Sequence, residues 1–148
     1  MLTLTVAGGA PRLLAAYYSF YVTPLPDEGP GGAFLVVTAV DPAFDCAHPA
    51  GDLDALSFLF RERGVGAITD SIASRRGPDF GNTIGGNAAG RLTRDDDRYG
   101  GYELDGGVID VGAGGYVGGT LHFDDGDVVV DGTFGATHCA ALDVIVGG

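Results

Sequence analysis

The residues best suited to chemistry crowd into two short stretches. Two cysteines and three histidines are present in 148 residues, and four of these five fall in "DCAH" (Cys46, His48) and "THC" (His138, Cys139). Two thiols and two imidazoles are enough for a tetrahedral zinc site, but zinc sites usually separate their ligands by two to four residues at each end. His138 and Cys139 are adjacent, and adjacent residues of a strand point to opposite faces. A disulfide asks only that the two backbones approach and that the compartment be oxidising. The spacing therefore favours a Cys46–Cys139 disulfide, with free buried thiols and a metal centre as the alternatives. His48, beside Pro49, reads as an exposed loop residue, and His122 and His138 as sheet-face residues.

A second candidate metal site is the acidic turn "DDGD", with Asp124, Asp125 and Asp127 alongside His138 as weak metal candidates. Calcium takes about six to eight oxygens, and this turn supplies few. It also lacks the spacing and terminal Glu of an EF-hand. A hairpin turn between two strands already explains it. Asp95–Asp97 is a similar cluster. Calcium is thus the one cofactor kept open, and otherwise none is expected.

Catalytic signatures are missing: no G-x-S-x-G, P-loop, H-E-x-x-H or C-x-x-C. "GGNAAG" (Gly85–Gly90) has no following Lys. Glu62 and Glu103 could each pair with an Asp as an acid–base couple, but nothing along the chain brings them together. The remaining cluster is aromatic. Tyr17, Tyr18, Phe20 and Tyr21 would either line a ligand pocket, making the tyrosines weak ligand-binding candidates, or pack as core and sheet-surface rings.

The elements that must position these residues read as strands. "MLTLTV" alternates apolar and polar residues, "AAYYSFYVT" is aromatic-rich, and "AFLVVTAV" (Ala33–Val40) is a continuous β-branched run. Leu53–Gly64 fits a capped helix or a strand, and the strand is preferred. Val65–Ser74 reads as another strand, and Arg75–Gly90 as a long glycine- and asparagine-bearing loop. The last third reads as a meander of antiparallel hairpins: Val108–Val111, Tyr116–Phe123, Val128–Cys139 and Leu142–Val146. Glycines within these strands (Gly118, Gly119, Gly132, Gly135) would mark bends, bulges or room for a bulky neighbour. Roughly eight or nine short strands at this spacing predict a single all-β domain over 1–148, an antiparallel β-sandwich or, alternatively, a compact β-barrel.

Composition agrees. Glycine is extreme at 27 residues, and the acidic residues are 17 Asp against 3 Glu, a skew toward turns and away from helix. A net charge of −12 repels nucleic acid and anionic membrane surfaces. The apolar stretch Leu13–Val22 is about half a spanning helix and lacks the basic flank of a signal peptide, so membrane insertion is not expected. Any export signal would lie outside this chain.

The closing "GTFGATHC", with Gly132, Phe134, Ala136 and Cys139 in a G-x-F-x-A-x-x-C pattern, resembles the final strands of small exported or lipid-anchored bacterial β-sandwich proteins. The resemblance covers about the last 40 residues. It implies an extracytoplasmic protein of unassigned function with a structural disulfide. The expected function is non-enzymatic, through binding or self-assembly, with the chain itself or another protein as partner. A small-ligand-binding barrel and a hydrolase on a β scaffold are the alternatives.

Overall fold

The fold is taken from a computed structural model, which describes residues 2–6, 9–22, 33–49, 54–60, 66–68, 71–77, 83–86, 88–94 and 116–145. Eleven strands are described: β1 (Leu2–Val6), β2 (Arg12–Val22), β3 (Ala33–Val40), β4 (Ala55–Phe60), β5 (Gly66–Ile68), β6 (Ser71–Arg76), β7 (Thr83–Ile84), β8 (Ala88–Arg94), β9 (Tyr116–Asp124), β10 (Val128–His138) and β11 (Val144–Ile145). The all-β expectation holds, and the preference for a strand within Leu53–Gly64 is met by β4. Val108–Val111 lies outside the described residues.

The strands form one hydrogen-bonded sheet in the order β5-β8-β9-β10-β1-β2-β3-β4-β6-β7. Its two ends are brought together by a segment that the sequence presents as a loop. β6 pairs with β7, Ser74 opposite Ile84, while β5 pairs with β8, Ile68 opposite Gly90. Both ladders keep the same register, so 66–76 and 83–94 are the two arms of one long hairpin. One arm pairs with β4 and the other with β9. The sheet is thereby nearly closed into a barrel. This supports the barrel alternative, and the strand order lends no support to two packed sheets. Near closure also leaves few free backbone groups at sheet edges.

At the junction of the two ladders, the buried Ser71 substitutes for a backbone partner. Its Oγ donates to the Ala88 carbonyl at 3.1 Å and accepts the Ala88 N–H at 2.8 Å. Within Arg75–Gly90, expected as a loop, the described residues Arg75–Arg76, Thr83–Ile84 and Ala88–Gly90 are strand. Of Val65–Ser74, the described residues Gly66–Ile68 and Ser71–Ser74 are strand, as expected.

Alternation along each strand fills the barrel interior. Leu14, Tyr18 and Phe20 of β2, Leu35 and Val37 of β3, Leu56 and Phe58 of β4 and Leu121 and Phe123 of β9 are all at most 1% exposed. Phe58 meets Phe123 edge to face across the interior at 5.5 Å. On the outside, Gly118 and Gly135 are direct cross-strand partners, and the ring of Tyr116 covers both. Here the strand glycines leave room for a bulky neighbour, as expected.

The end of the chain departs from the predicted meander. β10 runs parallel to β2, with Thr137 opposite Tyr17 and His138 opposite Tyr18. A 3-10 turn (Ala140–Leu142) follows, and β11 then returns to β2, Val144 opposite Tyr21. Where the sequence suggests a hairpin arm at Leu142–Val146, Val144–Ile145 instead resume the parallel pairing with β2 after the 3-10 turn.

Candidate functional site

A nearly closed barrel with a packed interior has its chemistry on the outer wall or at its ends. The outer wall differs sharply between its two halves. On β1, β10, β9 and β8 it is solvated: Thr3 stands opposite Asp131 and Asp131 opposite His122, while Thr133 faces Thr120 and Thr120 faces Arg91. On β2, β3, β4 and β6 it is amphipathic and concave.

Strand register organises that second half into transverse rows. Thr38, Ser57 and Ser74 are successive partners across β3, β4 and β6. The neighbouring row is Ser19, Val36, Leu59 and Ile72 across β2, β3, β4 and β6. Beyond it lie Tyr21 and Phe34, whose rings are 6.5 Å apart. On the other side of the hydroxyl row, Arg76 stands opposite Ala55. Thr38 Oγ1 and Ser57 Oγ are hydrogen-bonded at 2.9 Å. These rows floor a groove of about 460 Å³, rimmed by Leu142 and Val144. Along β6 it grades from the Arg76 guanidinium through the Ser74 hydroxyl to the Ile72 side chain. Such a groove, mostly apolar with a few placed polar groups, has the size and character of a small-molecule site. A smaller cavity of about 270 Å³ lies where β1 ends between β2 and β10, lined by Leu2, Leu14 and Phe134 among others.

The rim of the groove is held by the residues that looked chemically active in the sequence. Nε2 of His138 lies 2.9 Å from Asp143 Oδ2 and 3.1 Å from Oδ1. Asp143 Oδ1 also accepts the Phe20 N–H at 2.9 Å, replacing the ladder partner that the bulge removes. The pair is buried, its side chains 6% and 8% exposed. The imidazole stacks on Tyr18 at 5.3 Å and tilts against Phe20 at 5.4 Å. Next to it, Cys139 donates its N–H to the Tyr18 carbonyl. Its sulfur is bonded to Cys46, with Sγ–Sγ 2.05 Å and Cα–Cα 5.8 Å. The bond ties the β3–β4 connection onto the outer wall, where Phe44 meets Tyr17 edge to face at 5.3 Å. It does not join two sheets; it fastens a connection and the bulge to the same side of β2.

The other candidates separate. Asp124, Asp125 and Asp127 sit at the start of β10 and His138 at its end, about 33 Å of extended strand apart. They form no common site. The acidic turn satisfies its own backbone: Asp124 Oδ1 accepts the Gly126 N–H, and Asp125 Oδ1 accepts those of Asp127 and Val128. Asp125 also pairs with Arg75 at 2.9 Å. Among the described residues, no three His, Cys, Asp or Glu side chains gather as metal ligands. His48 is exposed beside Asp45, as expected of a loop residue. Glu62, Glu103 and Asp95–Asp97 lie outside the described residues. Of the aromatic cluster, Tyr18 and Phe20 turn inward, Tyr17 packs under the disulfide-linked connection, and Tyr21 lines the groove.

Arg76, the hydroxyl row and Asp143 went unnoticed in the sequence. A local signal exists, one hydroxyl at an outward position in each of "AFLVVTAV", "ALSFLF" and "SIASRR". Only inter-strand register turns those single residues into a row. No protein family, curated protein or solved structure shows detectable similarity to the chain.

Proposed function

We propose that the protein is an extracytoplasmic, non-catalytic binding domain that takes a small amphipathic molecule on the outer wall of its barrel. The observation that carries this reading is the groove on β2, β3, β4 and β6, beside an interior already filled by buried side chains. A disulfide that fastens the groove's rim supports an oxidising compartment. Among the described residues no helix is long and apolar enough to cross a membrane. The buried His138–Asp143 pair is bound up in holding the bulge and the Phe20 N–H, which supports a structural rather than a hydrolytic role. In a nearly closed sheet the free edges are short, so a groove is a better supported binding surface than a strand edge.

The test uses Nile red, a neutral apolar fluorophore. Saturable fluorescence enhancement at one site is expected with the wild-type chain. Leu59→Asp, an outward-facing change, should abolish it while leaving the circular dichroism spectrum intact. No saturable binding to the folded wild type, or binding unaffected by Leu59→Asp, would overturn the reading.

A further inference from the structure

Resting on the groove reading, we infer that the ligand is an anionic amphiphile: an extended apolar chain with a single oxyanion head, carboxylate or phosphate. Three observations point to it. First, Arg76 is the one charged side chain among the described lining residues, in a chain whose net charge is −12. Of the described carboxylates, Asp124, Asp125, Asp127 and Asp131 lie on or beside the β9–β10 turn and Asp41 and Asp45 in the β3–β4 connection, Asp143 is turned onto His138, and Asp54, which precedes the partner of Arg76, does not line the groove. Arg76 makes no ion pair with a described carboxylate, whereas its neighbour Arg75 is committed to Asp125. Second, the donors beside Arg76 suit an oxyanion. A guanidinium presents a planar fork of N–H groups that matches carboxylate and phosphate oxygens, and the hydroxyls of Ser74 and Ser57 are next along the floor. Third, charge is confined to one end. From Arg76 to Ile72 is four residues of strand, about 13 Å, and the far half of the groove is Val36, Leu59, Ile72 and Val144 with only the neutral hydroxyl-bearing Ser19 and Tyr21 beside them. A molecule charged at both ends would desolvate one charge there without an opposite charge to meet it. A purely apolar molecule would gain nothing from the guanidinium, whereas an oxyanion head would.

The head group would lie on Arg76 and Ser74, and the chain on Leu59 and Ile72 toward the rim formed by β11. Binding is non-covalent, and no bond is made or broken. Because Arg76 is exposed, the head-group contact should weaken as salt rises.

The experiment displaces bound Nile red from the full chain with decanoate, decyl phosphate and decanol. At least one anion is expected to bind about tenfold tighter than decanol, as a charge-assisted contact requires. The preferred anion identifies the head group. Arg76→Gln should remove that advantage, leaving both anions no tighter than decanol, and Arg76→Lys should keep part of it. Equal affinity of decanol and both anions, or an advantage that survives in Arg76→Gln, would overturn the inference and leave the groove reading standing. Failure of Nile red itself to bind would sink both. The distinction does not rely on a variant that misfolds, because the wild-type anion-to-alcohol ratio alone decides the first point.

Discussion

Asp143 is the side chain on which the end of the chain turns. Its carboxylate holds the buried His138 and takes the Phe20 N–H that the bulge deprives of a ladder partner. Removing it would leave a buried ring nitrogen and a buried amide unpaired, since each unmet group carries its full desolvation cost. Asp143→Ala is expected to lose about 2–4 kcal/mol of stability, with Asp143→Asn losing less because it keeps an acceptor. Urea unfolding measures the loss, and faster exchange of the Phe20 amide locates it. An unchanged midpoint for the alanine variant would refute this role. Of these residues the sequence showed the cysteines and His138, because they are rare and conspicuous. Asp143 was one of 17 aspartates, and its importance comes from a fold-back that no local pattern announces.

The decisive element is the hairpin of 66–76 and 83–94, which joins β4 to β9. Ser71 bridges the point where its two ladders meet, accepting from and donating to Ala88. Ser71→Ala leaves the Ala88 N–H without that acceptor and should cost about 1–3 kcal/mol. Hydrogen exchange at Ala88 should quicken more than at the amides of β3, which does not pair with the hairpin. Equal protection at both would show that closure does not depend on the hydroxyl. Strands with strong alternation or continuous β-branching, such as β3, β9 and β10, were legible to within a residue. β7 and the start of β8 were not. "RRGPDFGNTIGGNAAG" has the composition of a loop, yet Thr83–Ile84 and Ala88–Gly90 within it are strand because their neighbours present ready ladder partners. Tertiary context overrides weak local propensity in this way.

At the scale of the whole molecule, the Cys46–Cys139 bond closes a loop of 93 positions. In the chain-entropy model such a link contributes about 4–5 kcal/mol. A Cys46→Ser, Cys139→Ser double variant is expected to keep its β-type dichroism and to unfold at markedly lower urea. Wild-type protein under reductant should match it. Coincident midpoints with and without reductant would mean that the link adds nothing. The same bond, the bulge and the His138–Asp143 pair all act on one rim, so the variant should also bind Nile red more weakly.

The chain's own pattern determined that this protein is built of strands and where most of them lie, and it singled out Cys46 and Cys139 as a candidate pair. These properties follow from the two-residue period of a strand and from residue scarcity, both readable along one dimension. Tertiary structure alone decided that the sheet nearly closes into a barrel. It also decided that Thr38, Ser57 and Ser74 form a row beside Val36, Leu59 and Ile72, and that Arg76 stands at the end of it. The physical reason is register. A strand's alternation says which face a residue takes, but only the hydrogen-bonded offset between strands says who stands beside it, and a shift of one residue would exchange the two faces.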